Sequence, residues 1–477
     1  MKLALSRKNL WNALPRPLRA YAGRLLSAVP LRYVLGRRFR QQLEFVQQAQ
    51  HWSAEQVRAY QLGELRRICQ RAYEHTTFYR ELYDDAGVNV RNLASLDDVQ
   101  QLPVIDRDTV QTHLDDMCAI PGPRRNIDFI STGGTSGKPL TFYIGANRSA
   151  IEYAYLTASW QRAGYNLNVP LAVFRGRPVP PDKTGLRHEH DPLLRHHHYS
   201  TFHMTDADML RYVQHVRQLG PCCLHVYPWA VATLASFIRR AGVSPPTNVL
   251  AVIAESEIVY PEQRKLVEDV FGCRYFSCYG HTEKLVLAAE CEHTSDYHVW
   301  PTYGYFELLD EEGNAVTTPG QRGEIVGTGF INRAVPFIRY RTGDHATYVG
   351  DHCSACGREQ PIIREIRGHR TQEVLIAADG SEISWTAMNM HDDTFRNVRQ
   401  FQFRQDQAGE AILRIVPAAE FGDTDRARIA ARLGAKLDHR LNFTIEPVES
   451  IELTKRGKAV YVDQRTPRAA AATCASN

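Results

Sequence analysis

Short apolar runs at 171–174, 223–226 and 249–254 are interleaved with stretches of helical spacing at 206–219, 230–241 and 261–271. Each run is apolar throughout, so neither of its faces is suited to water. Such runs predict strands buried on both sides, with the helices forming the covering layers of a largely parallel sheet. The expected fold class is α/β. After about residue 303 the pattern changes. Runs at 303–309, 323–327 and 346–349 are joined by Gly-rich turns and predict a β-rich subdomain. Ahead of the alternation, residues 50–118 read as helices. Val57, Leu62, Leu65, Ile68 and Ala72 recur at helical spacing, and Asp97-Asp98 and 106–108 mark helix starts.

With 477 residues, ~100–200 residues per domain predicts two or three domains. The expected division is a basic N-terminal arm (1–50), a large domain (51–366), a small α+β C-terminal domain (367–465) and a disordered Ala-rich tail (466–477). In the small domain the strands are expected at 373–376, 401–403 and 411–415, a turn at Asp379-Gly380, and a helix at 425–441.

The arm carries Lys2, Arg7, Lys8, Arg16, Arg19, Arg24, Arg32, Arg37, Arg38 and Arg40 before the first acid, Glu44. A weak contact with an anionic membrane surface is one reading. A solvated arm packing its apolar residues on the body is preferred, because Pro15, Pro17 and Pro30 interrupt any long helix. Nucleic acid is not an expected partner, since the rest of the chain is net acidic. No run reaches the ~20 apolar residues needed to span a bilayer, and residues 1–14 lack the apolar core of a signal peptide. The expected compartment is the cytoplasm, with the ten cysteines as reduced thiols or metal ligands.

One loop has the composition of a phosphate cradle. Ser131, Thr132, Gly133, Gly134, Thr135, Ser136, Gly137, Lys138 and Pro139 follow the apolar run 127–130. Glycines let backbone N–H groups turn toward an anion, hydroxyls add donors, and Lys138 adds a mobile charge. A Walker A loop is excluded. It would need Gly at 132 and Ser or Thr at 139, and Pro139 opposes a helix starting directly after the lysine.

The loop resembles the Thr/Ser/Gly-rich phosphate loop of the adenylate-forming superfamily. The helical approach segment with Leu102-Pro103-Val104, and the cysteines considered below, resemble its phenylacetate–CoA ligase and CapK-type branch. The likeness covers roughly residues 55–465. It implies an ATP- and Mg²⁺-dependent ligase that joins a carboxylic acid to AMP, releasing pyrophosphate. The acyl group then passes to a thiol, with coenzyme A the first choice, or to an amine or carrier protein as in capsule and natural-product pathways. Partner expectations include a homodimer. A non-catalytic nucleotide scaffold is the remaining alternative.

The resemblance assigns roles residue by residue. Tyr279-Gly280-His281-Thr282-Glu283 resembles Tyr-Gly-x-Thr-Glu. It implies Glu283 as magnesium ligand, Tyr279 stacked on adenine and Thr282 on phosphate. Arg339-Tyr340-Arg341-Thr342-Gly343-Asp344 resembles Tyr-x-Thr-Gly-Asp, with Asp344 on the ribose hydroxyls. Near the hinge, one register places Arg370 on phosphate or ribose and Glu373 at the pivot, with His369 replacing a glycine. The other uses Gly368 and leaves His369 where arginine belongs. Thr454-Lys455-Arg456-Gly457-Lys458 resembles the closing motif, whose Gly-Lys spacing selects Lys458 over Lys455 as the catalytic lysine. Tyr227, Pro228, Trp229 and Ala254 are expected in the acyl pocket, and Glu255 near the adenine and acyl group.

Cys353 and Cys356 form a Cys-x-x-Cys knuckle, a spacing that grips Zn²⁺. Cys291 with His298, or with the rival His293, completes a Cys₃His set. The resemblance favours His298 and implies structural zinc. The stretch His196-His197-His198, with His188 and His190 nearby, reads as a solvated loop without a role.

Overall fold

The computed structural model describes residues 29–120, 127–132, 140–145, 148–368, 373–388, 390, 392–451 and 461–466. Gly133, Gly134, Thr135, Ser136, Gly137, Lys138, His369, Arg370, Lys455 and Lys458 lie outside them, as do most of the basic arm and the tail.

Helices open the chain: α1 (Arg37–Ala49), α2 (Ala54–His75), α3 (Thr77–Asp85) and α4 (Arg107–His113). Ser53 and Gln56 cap α2 reciprocally, each side chain accepting from the other's backbone N–H. Phe39, Leu43 and Val46 of α1 are buried, so the second half of the expected arm packs on the body. A hairpin, β1 (Ile127–Ser131) and β2 (Thr141–Gly145), precedes α5 (Arg148–Gln161).

The α/β layer follows: β3 (Leu171–Phe174), β4 (His188–Asp191), β5 (His196–Tyr199), α6 (Asp206–Arg217), β6 (Cys222–Val226), α7 (Pro228–Arg240), β7 (Val249–Glu255), α8 (Pro261–Phe271) and β8 (Arg274–Gly280). Proline opens α7 and α8, where a missing N–H costs no helical hydrogen bond. Then come β9 (Leu287–Ala289), β10 (Tyr297–Val299), β11 (Gly304–Leu309), β12 (Arg322–Gly329), β13 (Tyr340–Gly350) and β14 (Ile362–Arg367).

These strands join in a 12-stranded sheet ordered β11-β12-β13-β14-β10-β9-β8-β7-β6-β3-β5-β4. Strands β5, β3, β6, β7 and β8 run parallel, and the rest pair antiparallel. The β-rich segment is thus joined edge to edge with the α/β layer through β8 and β9. Gly304 is required where β11 crosses Leu285, since a Cβ there would lie 2.0 Å from a backbone oxygen.

Side chains of the central strands alternate between two cores. Cys223, Ala251 and Ile253 face Trp160 of α5, whereas Leu224, Val226, Val252 and Ala254 face α6, α7 and α8. The second core continues into the C-terminal unit. That unit has a hairpin, β15 (Val374–Ile376) and β16 (Glu382–Ser384), then β17 (Val398–Gln407), β18 (Glu410–Pro417), α9 (Asp423–Lys436), β19 (Asn442–Pro447) and β20 (Val462–Gln464). Its larger sheet is ordered β19-β18-β17-β20. Trp229 Nε1 donates to Glu382 at 2.9 Å, and Ser384 Oγ to Glu257 at 3.0 Å, across the junction.

The His-rich stretch corrects the expectation of a solvated loop. It forms the β4–β5 edge hairpin, where His188 and His197 share a 3.0 Å hydrogen bond and His190 stacks on His197. The paired backbone and stacked imidazoles bury surface that composition alone assigns to water.

Candidate functional site

Two of the family-like strings meet at the junction of the sheet's two halves. Tyr279 and Gly280 end β8, and Asp344 lies in β13. The Tyr279 hydroxyl donates to Asp344 Oδ2 at 2.7 Å, and His281 Nε2 is 2.6 Å from the same hydroxyl. Burial, and then the Asp344 charge, push the Tyr279 hydroxyl well above its ordinary pKa, so it stays protonated as a donor. Gly343 has φ +76°, its N–H donates to Glu324, and Thr342 Oγ1 accepts from the Asp344 N–H. This bend aims the carboxylate at the tyrosine. Gly368 packs against Asp344, where a Cβ would lie 3.0 Å from Oδ1.

Glu283 is buried. Arg107 of α4 is half-buried. Desolvation opposes its charge, but Tyr340, Glu283 and Tyr461 outweigh it and hold the guanidinium protonated. Sequence reading missed Arg107, because one arginine beside a helix start carries no motif. Beside Tyr279 lies a cavity of about 380 Å³ whose lining includes Glu257, Val259, Tyr297, Arg364 and Ile366. That volume is within the ~300–1,000 Å³ of small-molecule sites.

The stem of the phosphate-type loop is well defined. Ser131 pairs with Thr141, the Thr132 N–H donates to Leu140 O at 2.8 Å, and the Leu140 N–H donates to Thr132 Oγ1 at 3.1 Å. Thr132 and Leu140 are thereby held together, and the strand Thr141–Gly145, not a helix, comes next among the described residues. Downstream, the Glu373 carboxylate accepts from the backbone N–H groups of Tyr461 (2.6 Å) and Val462 (2.7 Å). The expected pivot residue thus fastens the chain just beyond the expected closing motif.

A second polar group occupies the C-terminal ends of β3, β6 and β7. Arg175 Nη1 donates to Glu255 Oε2 at 2.7 Å and contacts His225 Nε2 at 2.6 Å. Its Nη2 donates to Ser256 at 2.8 Å, and Trp160 Nε1 donates to Glu255 Oε1 at 2.9 Å. Burial works against the Glu255 charge, but the Arg175 guanidinium and the Trp160 N–H hold its carboxyl well below the usual range. Burial and the Arg175 charge lower His225, leaving it neutral. Of the four residues expected in the acyl pocket, Tyr227 meets this group, its ring under the Arg175 guanidinium. Pro228, Trp229 and Ala254 are buried toward the core shared with the C-terminal unit. The two-residue period of β7 turns Ala254 away from the side occupied by Glu255. Arg175, His225 and Trp160 escaped sequence reading, because they come singly from separate elements.

The cysteine–histidine set comes together. One ligand atom from each of Cys291, His298, Cys353 and Cys356 lies within 4.8 Å of the others. Cys356 Sγ is 3.5 Å from His298 Nε2. Burial would raise the Cys291 thiol, but the Thr294 hydroxyl and the His293 and Thr294 N–H groups lower it below its ordinary value. Burial and Arg162 push His298 down to about 4, which keeps it neutral. Arg162 is itself fully buried, and its Nε has no partner among the described residues. Three thiols, a neutral imidazole and a buried cation awaiting negative charge fit Zn²⁺, which ligates thiolate and neutral imidazole. Zinc would supply cross-linking here, tying β10 to the knuckle before β14. His293 is not in the set.

Residues 375–465 match the family model described as "CapK C-terminal domain". The chain is 27% identical to a phenylacetate-coenzyme A ligase of Thermus thermophilus over 328 residues, 68% of this chain and 72% of that protein. It is 21% identical to Protein CapK of Staphylococcus aureus, over 81% of this chain and 84% of that one. A 2-hydroxyisobutyryl-CoA ligase, solved with 2-HIB-AMP and CoA in its thioester-forming state, superposes with a TM-score of 0.56 at 21% identity, over 90% of this chain and 94% of that chain. The fold is that of the adenylate-forming CoA ligases. Among the described residues no helix is long and apolar enough to cross a membrane.

Proposed function

We propose that the chain is an adenylate-forming acid–thiol ligase. It joins a carboxylic acid to AMP, releases pyrophosphate and passes the acyl group to coenzyme A. The observation that carries this reading is the Tyr279–Asp344 contact beside the 380 Å³ cavity, in a fold shared with CoA ligases. The cavity takes the nucleoside, with Tyr279 against the base. The Asp344 carboxylate, positioned by its hydrogen bond from Tyr279, contacts the ribose hydroxyls. The loop from Ser131 to Lys138, with Thr282, binds the phosphates. The buried Glu283 carboxylate holds Mg²⁺, a hard cation that prefers such oxygens and neutralises phosphate charge. Arg107 lies in the electrostatic reach of Glu283 and balances its charge. Lys458 brings its charge to the carboxylate as it meets the α-phosphate, and Arg370 contacts the nucleotide after the C-terminal unit turns about Glu373. Cys291, His298, Cys353 and Cys356 hold a structural zinc outside the reaction.

A second reading, in which an amine or carrier protein replaces coenzyme A, follows from the resemblance to the CapK-type branch. Pyrophosphate release measured with and without coenzyme A, together with product mass, separates the two. Acid-dependent AMP with an acyl-CoA product supports the ligase. ATP consumption that ignores added acid contradicts both.

A further inference from the structure

The polar group at the ends of β3, β6 and β7 lies where open α/β sheets bind ligands, outside the C-terminal ends of parallel strands. Residues just beyond Glu255 form a wall of the 380 Å³ cavity. Arg175, His225 and Glu255 are interlocked, yet their side chains keep 22%, 11% and 11% of their surface open. The hydrogen bonds of Arg175 described above all use Nη1 and Nη2, so Nε, beside the Tyr227 side chain, is the donor open to a ligand.

Two further polar atoms flank the group. The Tyr153 hydroxyl, on α5, and His196 Nε2, on β5, are shut off from solvent and make no hydrogen bond among the described residues. Tyr165, Asp191 and Glu255 face Tyr153, while His198, His225, His197 and Arg177 face His196. Buried polar atoms are nearly always satisfied in folded proteins, so two orphans around one accessible network indicate a missing partner.

The charges define that partner. Arg175 balances Glu255, Arg177 pairs with Glu189 at 2.9 Å, and burial keeps His196, His198 and His225 neutral. A second carboxylate on the ligand would compete with Glu255 for Arg175, and an ammonium would compete with Arg175 for Glu255. A neutral group that both donates and accepts would complete Tyr153, His196 and Arg175 without breaking the pair.

We propose that the acyl pocket selects carboxylic acids whose far end carries a neutral hydrogen-bonding group (hydroxyl, carbonyl or amide) over all-hydrocarbon acids, with Arg175 as the specificity-determining residue. This rests on the acid-activating reading above. A site built to bond such a group rejects the analogue lacking it, because its own polar atoms are then left unpaired.

The test is ATP–pyrophosphate exchange on full-length protein with matched acids: phenylacetate against 4-hydroxyphenylacetate, and valerate against 5-hydroxyvalerate. The polar member of at least one pair should lead in kcat/KM by about tenfold or more. Arg175→Met should bring that ratio close to one, with the KM for ATP unchanged. Tyr153→Phe removes only an unpartnered hydroxyl, so it should fold as the parent does and reduce the ratio by about threefold. Hydrocarbon acids leading in every pair, or a ratio that neither variant moves, would overturn the proposal while leaving acid activation standing. Exchange absent with every acid would overturn the acid-activating reading, and this proposal with it.

Discussion

The parallel and antiparallel halves of the large sheet assemble their functional groups in opposite ways. In the parallel half the chain must cross over by a helix before the next strand, so neighbours in space are distant in sequence. Arg175, His225 and Glu255 touch, yet each comes from a different strand end. In the antiparallel half the chain turns back within a few residues. Tyr279 through Glu283, Arg339 through Asp344, and Cys353 with Cys356 each act as local strings. The parallel half therefore builds a polar group that can diverge one residue at a time. The antiparallel half holds groups whose mutual spacing is fixed by a single turn.

Substitutions should reflect that difference. The largest effect is expected at the junction. Glu283→Ala should lower the rate of ATP–pyrophosphate exchange by about 10²–10³-fold, since charge neutralisation at a transferring phosphoryl group is lost. A near-normal rate would remove Glu283 from the site.

The cysteine set should affect stability more than chemistry. The double variant Cys353→Ser/Cys356→Ser should lose its equimolar zinc by elemental analysis and at least about 3 kcal/mol of unfolding free energy. Activity per folded molecule should persist. A parent protein that is metal-free and equally stable would contradict the assignment.

Acid should act through the far edge of the parallel half. Burial, with neighbouring imidazoles, lowers His188 and His197 to about 3. The unfolded chain protonates them near ~6.5. Stability is therefore present above pH 6.5 and is lost as pH falls from there toward 3. Between pH 7 and 5 each should cost about 1 kcal/mol after allowance for partial exposure. Thermal melts of His188→Gln/His197→Gln should show a flatter pH profile, and an unchanged slope would refute the linkage.

The smallest effect is expected at the junction with the C-terminal unit. Trp229→Phe removes the hydrogen bond to Glu382 and should cost about 1 kcal/mol in denaturant unfolding. A change within error would mean that solvent replaces the contact.

The same contrast explains what the sequence could reveal. Strands 171–174 and 249–254 were legible because burial on both faces leaves a purely apolar run. The meeting of Tyr279 with Asp344, and of Cys291 and His298 with Cys353 and Cys356, was legible because their strings are short. The sequence does not show that β13 begins with Tyr340, well before the predicted 346–349, because its polar residues alternate outward and mask the period. Arg175, His225 and Arg107 were hidden for a different reason: their meaning lies in tertiary neighbours 30 or more residues away. The edge hairpin of histidines was misread because composition alone cannot tell a stacked imidazole from a solvated one.

The decisive measurement is acid-dependent ATP–pyrophosphate exchange in Mg²⁺ without coenzyme A. Label should exchange only when a carboxylic acid is present, exchange should be lost in Lys458→Ala, and it should fall strongly in Asp344→Ala, the substitution that opens the Tyr279 contact. Exchange that needs no acid, or that survives both substitutions at the parental rate, would contradict acid adenylation at this site.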